Sequence, residues 1–317
     1  MALEAPYFNG KTASLLTMAF SEYFELNKLT PRARPILKWA GGKAQLLPQL
    51  LPHFPKQFNR YFEPFLGAGA IYFALDAKCP AIINDANPEL YELYLVLRDH
   101  PNKLTRLLDK YARKYSENFY YDLRASQPRS PISKAARFIF LNKTGFNGLY
   151  RLNSKGQFNV PFGKREKCPQ LYDSENVKRV TERLKKSQIK NCDFEKVIQM
   201  AKKGDFVYCD PPYSPLSRTS SFNSYTAGGF SDAEQVRLKN ACNEAAKRGV
   251  FVAVSNSSAP LILNIYGDWR VHFIKARRSI NSKSHLRGPI HEILTTSWEM
   301  RPKNFNSLRS RLEVCHP

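Results

Sequence analysis

In the stretch VYCDPPYSPL, residues 207–216, a run of apolar residues leads directly into an acid, two prolines and an aromatic ring. Asp210 accepts hydrogen bonds when it is ionised, and the carbonyl oxygen of Pro211 is a second acceptor. Consecutive prolines have fixed φ angles, so the backbone that carries both acceptors is stiff. Tyr213 adds a flat face on which a nucleobase can stack. These residue types predict a site that grips the exocyclic amino group of a base.

The amino nitrogen of adenine is a poor nucleophile, because its lone pair is delocalised into the ring. A site that grips this amino group can overcome the problem, and it therefore predicts methyl transfer. Two acceptors on its hydrogens pull the nitrogen toward tetrahedral geometry, and the freed lone pair can attack a methyl carbon carried on a sulfonium. In the simpler alternative, Asp210 caps a turn and the prolines only end a strand. Cys209 is interpreted as a small buried hydrophobe, since the chain has no Pro-Cys dipeptide of the kind that cytosine-C5 methylation uses.

A second pattern, FLGAGA at 65–70, places Gly67 and Gly69 between a predicted strand and a predicted helix. Glycines there permit a tight turn and the close approach of a ligand to the backbone. Asp85 ends the next predicted strand, where an acid can hold ribose hydroxyls. Core packing alone would explain the glycines equally well, but the acid in addition predicts a nucleoside-type cofactor.

The segment LKWAGGKAQLL, residues 37–47, is close to a phosphate-binding loop but lacks the hydroxyl residue that follows Gly-Lys in that motif. ATP binding is therefore disfavoured. Two interpretations remain open. The segment is either a flexible basic loop with a half-buried Trp39, or a basic and aromatic lip over the carboxylate and the ring of a cofactor.

The composition narrows the class of partner. Lys and Arg number 49 against 27 Asp and Glu, a formal net charge of +22. This excess favours nucleic acid over a membrane surface, because the chain shows neither a basic amphipathic helix nor an apolar run of ~18 residues. Six cysteines without C-x-x-C and histidines without H-E-x-x-H predict a reducing, cytoplasmic environment and no metal site. The N-terminus lacks a basic n-region, which argues against a secretory signal.

The order of predicted elements indicates the fold class. Strand patterns at 81–85, 205–210, 250–256 and 292–298 alternate with helical patterns, which predicts a mostly parallel α/β sheet. The sequence SDAE, 231–234, is a capping-box signature for a helix that should reach about residue 247.

The middle of the chain breaks this alternation and is interpreted as a mostly helical insertion with a hairpin at 148–163. The predicted units are an N-terminal extension (1–33), the cofactor half of a catalytic domain (34–95), the insertion (96–190), the second half of the catalytic domain (191–300) and a C-terminal tail (301–317).

Six motifs, KWAGGK, EPFLGAG, NKTGFNGLYR, FNVPFG, YCDPPYSPL and RRSI, resemble those of Dam-type DNA adenine-N6 methyltransferases and occur in the same order, from about residue 35 to 298. The resemblance implies S-adenosylmethionine as cofactor and double-stranded DNA as substrate. It implies site-specific methylation at N6 of an adenine flipped out of the duplex, with GATC as the expected site. The implied fold is a Rossmann-like S-adenosylmethionine-dependent methyltransferase sheet with an inserted, mostly helical target-recognition domain that carries a β-hairpin.

The family motifs also imply roles for single residues. Asp210, Pro211 and Tyr213 would hold the target adenine. Arg151 matches an arginine that reads a guanine edge, whose O6 and N7 suit a guanidinium. Phe146 matches an aromatic that inserts where the flipped adenine leaves the stack. The remaining implied contacts are with the cofactor for Trp39, Lys43, Asp85, Asp193, Phe194 and Asp210, and with DNA bases for Lys38, Asn147, Leu149 and Pro161.

Several alternatives stay open. Without the resemblance, the hairpin would be an ordinary surface turn with a solvated Arg151. The basic run at 275–288 is expected to contact DNA phosphates, for instance through Arg277 and Arg278, although such a run is usually a solvated loop. Methylation of cytosine N4 or of an RNA amino group would use the same grip. A DNA-binding protein without catalysis is disfavoured by the intact motifs. The sequence indicates no membrane contact and identifies no protein partner.

Overall fold

The structure, a computed structural model of the chain, describes residues 32–39, 41–75, 79–214, 230–277 and 289–298. The described residues form seven strands: β1 Tyr61–Glu63, β2 Ala81–Asn84, β3 Ser187–Lys190, β4 Phe206–Cys209, β5 Phe251–Ser257, β6 Arg270–Arg277 and β7 Pro289–Thr296. They also form ten α-helices: α1 Leu47–Leu50, α2 Ala70–Ala74, α3 Pro88–Asp99, α4 Pro101–Arg113, α5 Glu117–Ala125, α6 Pro131–Thr144, α7 Ser174–Lys185, α8 Phe194–Gln199, α9 Asp232–Lys247 and α10 Pro260–Ile265.

The seven strands make one sheet in the order β3-β2-β1-β4-β5-β7-β6. The first five of these are parallel to one another, whereas β7 is antiparallel to both β5 and β6. The predicted α/β class with a mostly parallel sheet is confirmed. From β1 the chain builds outward through β2 and β3, and it then returns to place β4 on the other side of β1. The carboxyl ends of β1 and β4 therefore lie side by side where the strand order reverses, the usual ligand position in open α/β sheets.

Both faces of the sheet are covered. Successive side chains of a strand point to opposite faces, and accordingly Tyr61 belongs to one hydrophobic cluster and Phe62 to another. Helices α3 to α7 contribute to the cluster of Tyr61, and helices α8, α9 and α10 contribute to the cluster of Phe62. Because the helices between β2 and β3 share a core with the sheet, they are held firmly against the strands that carry the site.

Two strands, β3 and β6, are not predicted by the sequence patterns. β3 reads SQIK and has Ile189 as its one buried residue, so it lacks the apolar alternation by which strands are recognised. β6 extends through residues 275–277, the start of the basic run that is expected to contact DNA phosphates and for which a solvated loop is the alternative. Its eight residues all pair with β7, and basic side chains are common on such edge strands because they prevent further pairing.

The chain from Pro88 to Ala125 forms three separate helices. The first break follows Asp99, because Pro101 lacks an N–H and is tolerated only in the first turn of the next helix. The second break is at Ser116, whose side chain caps α5 by accepting a hydrogen bond from the Phe119 N–H. The boundary that the sequence places between residues 95 and 96, before the insertion, lies inside α3.

The helix predicted from SDAE is confirmed, since α9 ends at Lys247 and the Ser231 hydroxyl accepts a hydrogen bond from the Glu234 N–H. The carboxylate of Glu234 does not complete the capping box. It forms an ion pair with Arg237 at 2.7 Å instead.

The segment predicted to be a hairpin, 148–163, folds back on itself without forming regular strands. Two isolated antiparallel bridges, Gly145 with Phe162 and Leu152 with Phe158, join its arms. The predicted turn near residues 154–156 is present, and the Asn153 N–H donates to the Gln157 carbonyl across it. A continuous ladder is not possible, because proline at 161 has no N–H to donate.

Candidate active site

A cavity of about 600 Å³ opens at the carboxyl ends of β1, β2 and β4. This is the point where the strand order reverses, so the topology places a ligand site there. We call it the central cavity. The sequence-predicted residues that line it are Trp39, Lys43, Gly67, Asp85, Leu149, Asp193, Phe194, Asp210, Pro211 and Tyr213.

The turn predicted for FLGAGA joins β1 to α2, and its two glycines, Gly67 and Gly69, have φ angles of 51° and 73°. A Cβ atom at Gly67 would lie 3.0 Å from the Trp39 ring, and one at Gly69 would lie 2.8 Å from the Phe73 ring. Gly67 thus lets the indole lie against the backbone at the cavity wall. At Gly69 a core ring fills the space that a side chain would take, and the contact of this residue with the cofactor stays a prediction.

Residues 37–39 and 41–47, the described part of this segment, form a packed lip at the cavity. Lys43 is only 3% exposed and begins a 3₁₀ turn that extends to Gln45. Trp39 is half-buried, and its ring packs against Tyr150 at a centroid distance of 5.1 Å. Of the two interpretations that the sequence leaves open, the structure supports the basic and aromatic lip.

Asp85 holds the first turn of the site together. One carboxylate oxygen accepts a hydrogen bond from the Gly67 N–H at 2.8 Å, and the other accepts from the Asn87 N–H at 2.9 Å. Burial raises the pKa of Asp85 to about 6, although both backbone bonds oppose the shift. Each carboxylate oxygen has a second lone pair, so Asp85 can accept further hydrogen bonds from a ligand in the central cavity.

Four side chains form a charged network at the end of β4. Lys43 Nζ lies 3.0 Å from Asp210 Oδ2, 3.8 Å from Glu292 Oε2 and 4.7 Å from the centre of the Tyr213 ring. The Tyr213 hydroxyl donates a hydrogen bond to Glu292 Oε2 at 2.7 Å. The sequence patterns identify three of these residues, and they miss Glu292.

The two oxygens of the Asp210 carboxylate differ in their contacts. Oδ2 pairs with Lys43, whereas Oδ1 is buried and receives no hydrogen bond from the described residues. Burial raises the pKa of Asp210 to about 6, a shift that Lys43 opposes and Glu292 increases. A buried acceptor without a donor costs free energy, and Asp210 lies on the wall of the central cavity. Oδ1 is therefore ready for a donor supplied by a ligand.

Hydrogen bonds from buried side chains hold the backbone that follows Asp210. Gln235 donates a hydrogen bond to the Pro212 carbonyl at 2.9 Å, and Asn256 donates to the side-chain oxygen of Gln235 at 3.0 Å. The Ser257 hydroxyl donates to the Ser214 carbonyl at 2.7 Å. The stiffness expected from the two prolines is thus reinforced by buried side chains of α9 and β5.

Glu63, at the end of β1, is a second buried acid that the sequence analysis misses. It lines the central cavity and accepts a hydrogen bond from the Tyr61 hydroxyl at 2.7 Å. Burial raises the pKa of Glu63 well above its usual range, and repulsion from Asp210 adds to this although Tyr61 opposes it. The signal was available, since an acid that directly follows an apolar strand is the feature that identifies Asp85.

Asp193 and Phe194 meet the central cavity at the start of α8. The Asp193 carboxylate caps α8 through the Glu195 N–H and pairs with Arg237 at 2.8 Å. The hydrogen bond from Arg237 lowers the pKa of Asp193. The guanidinium of Arg237 also lies 4.1 Å from the centre of the Phe194 ring. The Asp193 carboxylate thus fixes the start of α8, where Phe194 lies, and the contact of Asp193 with a cofactor stays a prediction.

The residues expected to contact DNA bases form an exposed surface beside the cavity. Phe146 is 50% exposed, which is unusual for a large aromatic side chain. Asn147 follows it with a φ angle of 52°. The Phe146 N–H donates to the Pro161 carbonyl at 2.9 Å, so the two ends of the loop stay together. Leu149 turns inward and lines the central cavity.

Arg151 is exposed but not freely mobile. Its Nε donates a hydrogen bond to Asn159 Oδ1 at 2.7 Å, and a terminal nitrogen donates to the Asn159 carbonyl at 3.3 Å. Asn159 therefore binds Arg151 through both its side chain and its backbone. This contact fixes the direction of the guanidinium and leaves further donors for a ligand.

Asn142, at the end of α6, connects Lys38 to the exposed loop. Its oxygen accepts a hydrogen bond from the Lys38 N–H at 2.9 Å. Its amide nitrogen donates to the Lys38 carbonyl at 2.8 Å and to the Gly148 carbonyl at 3.1 Å. The sequence analysis misses Asn142, because nothing local distinguishes a buried amide that joins two distant segments.

Some expectations cannot be placed at the site. Arg278 lies outside the described residues, and Arg277 is described only as backbone at the end of β6. Among the described residues, no group of three or more His, Cys, Asp or Glu is arranged to hold a metal ion. None of the helices in this part of the chain has the length and apolar character that crossing a membrane requires.

Comparison with known proteins identifies the family. Residues 39–280 match the family described as D12 class N6 adenine-specific DNA methyltransferase. The chain is 45% identical to the Type II methyltransferase M1.LlaDCHI of Lactococcus lactis subsp. cremoris over 281 residues, which cover 86% of this chain and 98% of that protein.

Two further relatives agree with this family. The Type II methyltransferase M.MjaIII of Methanocaldococcus jannaschii is 38% identical over 287 residues, covering 84% of this chain and 99% of that protein. The DNA adenine methylase of Salmonella typhi is 34% identical over 272 residues, covering 82% of this chain and 94% of that protein. With a sheet, a cavity and an acidic DPPY motif in the positions that its sequence predicts, the chain belongs to the D12 class of N6 adenine-specific DNA methyltransferases.

Proposed function

We propose that this enzyme takes a methyl group from S-adenosylmethionine and places it on N6 of an adenine that has left a DNA duplex, within the site GATC. The observation that carries the proposal is the state of Asp210. One oxygen pairs with Lys43 at 3.0 Å, and the other is buried at the wall of the central cavity and receives no hydrogen bond from the described residues. A target amino group would supply the missing donor.

The central cavity suits the proposed cofactor. Asp85 has lone pairs left for ribose hydroxyls, and the wall formed by Phe194 and its aromatic neighbours suits an adenine ring. Trp39 and Lys43 form the lip, and Glu63 adds a buried acid near the end of β1. When bound, S-adenosylmethionine supplies an electrophilic methyl group.

At the opposite wall, Asp210 Oδ1 and the carbonyl of Pro211 would accept the two hydrogens of the target amino group. Tyr213 would lie beside the base, with its hydroxyl held by Glu292 at 2.7 Å. A preorganised acceptor in a site that excludes water typically contributes about 10²–10³-fold to the rate. With its pKa raised to about 6, Asp210 is also suited to receive the proton that the methylated nitrogen must lose.

The exposed surface beside the cavity is the proposed DNA-reading element, within the segment 96–190 that we interpret as the target-recognition unit. Phe146 would fill the gap left by the flipped adenine, since base flipping costs stacking energy that an inserted side chain can replace. Arg151, oriented by Asn159, would donate to O6 and N7 of a guanine. Lys38, Asn147, Leu149 and Pro161 would complete the contacts with base edges.

The test is to express the chain in cells that lack adenine methylation and to sequence the modified bases in their DNA. We expect N6-methyladenine at GATC and none in cells that express Asp210→Ala. Methylcytosine would contradict the chemistry. Methyladenine at another sequence would contradict only the GATC assignment, since relatives are named both Type II methyltransferase and DNA adenine methylase.

A further inference from the structure

Glu292 reaches the active site because β7 runs against the direction of the other central strands. In the sheet, Glu292 pairs with Ser257, the last residue of β5, and with Ile274 of β6. The start of β7 is therefore level with the carboxyl ends of β4 and β5, where the DPPY motif begins. A residue far along the chain is thus brought to the residues that follow β4.

The contacts of Glu292 are with residues of the proposed active site. Its Oε2 accepts a hydrogen bond from the Tyr213 hydroxyl at 2.7 Å and lies 3.8 Å from Lys43 Nζ. The same ammonium group lies 3.0 Å from Asp210 Oδ2. The side chain of Glu292 is 21% exposed, so it is largely shielded and is not an ordinary solvated surface acid.

This arrangement has two consequences. The hydrogen bond fixes the outer end of the Tyr213 ring, which would otherwise be free to rotate away from a base. The negative charge of Glu292 competes with Asp210 for Lys43, so the cation does not neutralise Asp210 alone. Asp210 therefore keeps more of its strength as an acceptor than it would in an isolated ion pair.

We propose that Glu292 is a positioning residue for methyl transfer, which holds Tyr213 against the target base and shares Lys43 with Asp210. The inference rests on the proposed function, because its readout is transfer to adenine. It assigns Glu292 no contact with the substrate.

Three variants separate the two parts of this role. Glu292→Gln keeps an oxygen that can accept from Tyr213 but loses the charge. Glu292→Ala loses both, and Tyr213→Phe removes only the hydroxyl. We expect Glu292→Ala to lower kcat on duplex DNA by about tenfold or more, with unchanged cofactor Kd in calorimetry. Glu292→Gln should retain most of the effect of the hydrogen bond, and its kcat should lie between those of wild type and Glu292→Ala.

The double variant tests whether Glu292 acts through Tyr213. If it does, kcat of Glu292→Ala with Tyr213→Phe should be well above the product of the two single losses, because both changes remove the same bond. Losses that multiply would overturn the inference. So would a kcat of Glu292→Ala equal to that of Glu244→Ala, an exposed acid of α9 paired with Lys247, which serves as the matched control.

The pH profile provides a readout that a merely structural role would not move. Among the described residues, the titratable or charged groups that act on Asp210 are Lys43, Glu292, Tyr213, Glu63, Tyr208 and Cys209. Removing the negative charge at 292 should lower the pKa of Asp210, so the acidic limb of kcat in Glu292→Gln should move to lower pH. An unmoved limb would contradict the sharing of Lys43. Absence of transfer by the wild-type enzyme would instead contradict the proposed function itself.

Discussion

The ammonium group of Lys43 and the carboxylate of Asp210 lie 3.0 Å apart and join the lip before β1 to the DPPY motif after β4. Lys43 is 3% exposed, and burying an ammonium group without a partner is costly. The pair is therefore part of the fold as well as of the site. It also leaves Asp210 Oδ1 buried and without a hydrogen bond from the described residues.

Replacing Lys43 by Met should remove the cation and leave Asp210 buried beside Glu292. Breaking a buried pair from one side typically costs about 3–5 kcal/mol. We expect the free energy of unfolding, measured in urea, to decrease by an amount in the lower part of this range, because the Asp210 side chain is 20% exposed. Lys247→Met, which removes an exposed partner of Glu244, is the control and should change stability by less than about 1 kcal/mol.

The activity of the wild-type enzyme should depend on the ionisation of Asp210, which must be a carboxylate to accept a hydrogen of the target amino group. Since burial raises its pKa to about 6, protonation removes the acceptor as the pH falls through 6, and kcat should fall with it. In Lys43→Met the loss of the cation raises the pKa of Asp210 further, so the acidic limb of the pH profile of kcat should move to higher pH. The measurement is kcat on duplex DNA at saturating cofactor, and a limb shifted to lower pH would contradict the assignment.

The cofactor role of Asp85 is tested separately from the chemistry. Asp85→Asn replaces one acceptor oxygen by a donor, which then faces the N–H group of Gly67 or of Asn87. We expect cofactor Kd in calorimetry to rise by at least about tenfold, equivalent to about 1.4 kcal/mol. Asp99→Asn, at an exposed acid paired with Arg98, should leave Kd unchanged. Equal affinity of Asp85→Asn and wild type would remove Asp85 from the cofactor site.

Local sequence patterns predict the parts of this site that follow a strand directly. Asp85 and Asp210 are identified in this way, because an acid after an apolar run is visible within a few residues. Lys43 is identified only as one of two alternatives, since its burial depends on a partner far along the chain. Glu292 is missed because its place depends on the antiparallel direction of β7, which no local pattern reveals.

The same limit applies to the fold. The apolar strands β2, β4, β5 and β7 are predicted within a few residues, because both faces of the sheet are covered and their patterns are strong. β3 carries a single buried residue and β6 is rich in basic residues. Strands of this kind are stabilised by pairing with a neighbour and not by their own apolar pattern.

Arg151→Ala should lose base reading, and the preference for the correct base at one base pair of the site should decrease by about 1–3 kcal/mol. Asn159→Ala should produce a smaller reduction at the same base pair, because Asn159 orients the guanidinium at 2.7 Å. The measurement is kcat/KM on duplexes that differ from GATC by one base pair. Lys155→Ala, at the exposed turn of the same loop, is the control. Equal rates of Arg151→Ala and wild type on all substituted sites would contradict the role.

Asn142 should couple the two parts of the DNA-reading surface, because its amide binds the backbone of Lys38 twice and the Gly148 carbonyl once. Asn142→Leu removes these bonds at similar volume and leaves buried backbone groups unpaired, at a cost of about 1–3 kcal/mol in the free energy of unfolding. We expect discrimination to weaken at the base pairs read by both Lys38 and Arg151, while cofactor Kd in calorimetry stays unchanged. Asn59→Ala, which removes one exposed bond to the Lys203 carbonyl, is the control. Weaker discrimination at only one of these base pairs would show that Asn142 does not hold the lip and the loop as one surface.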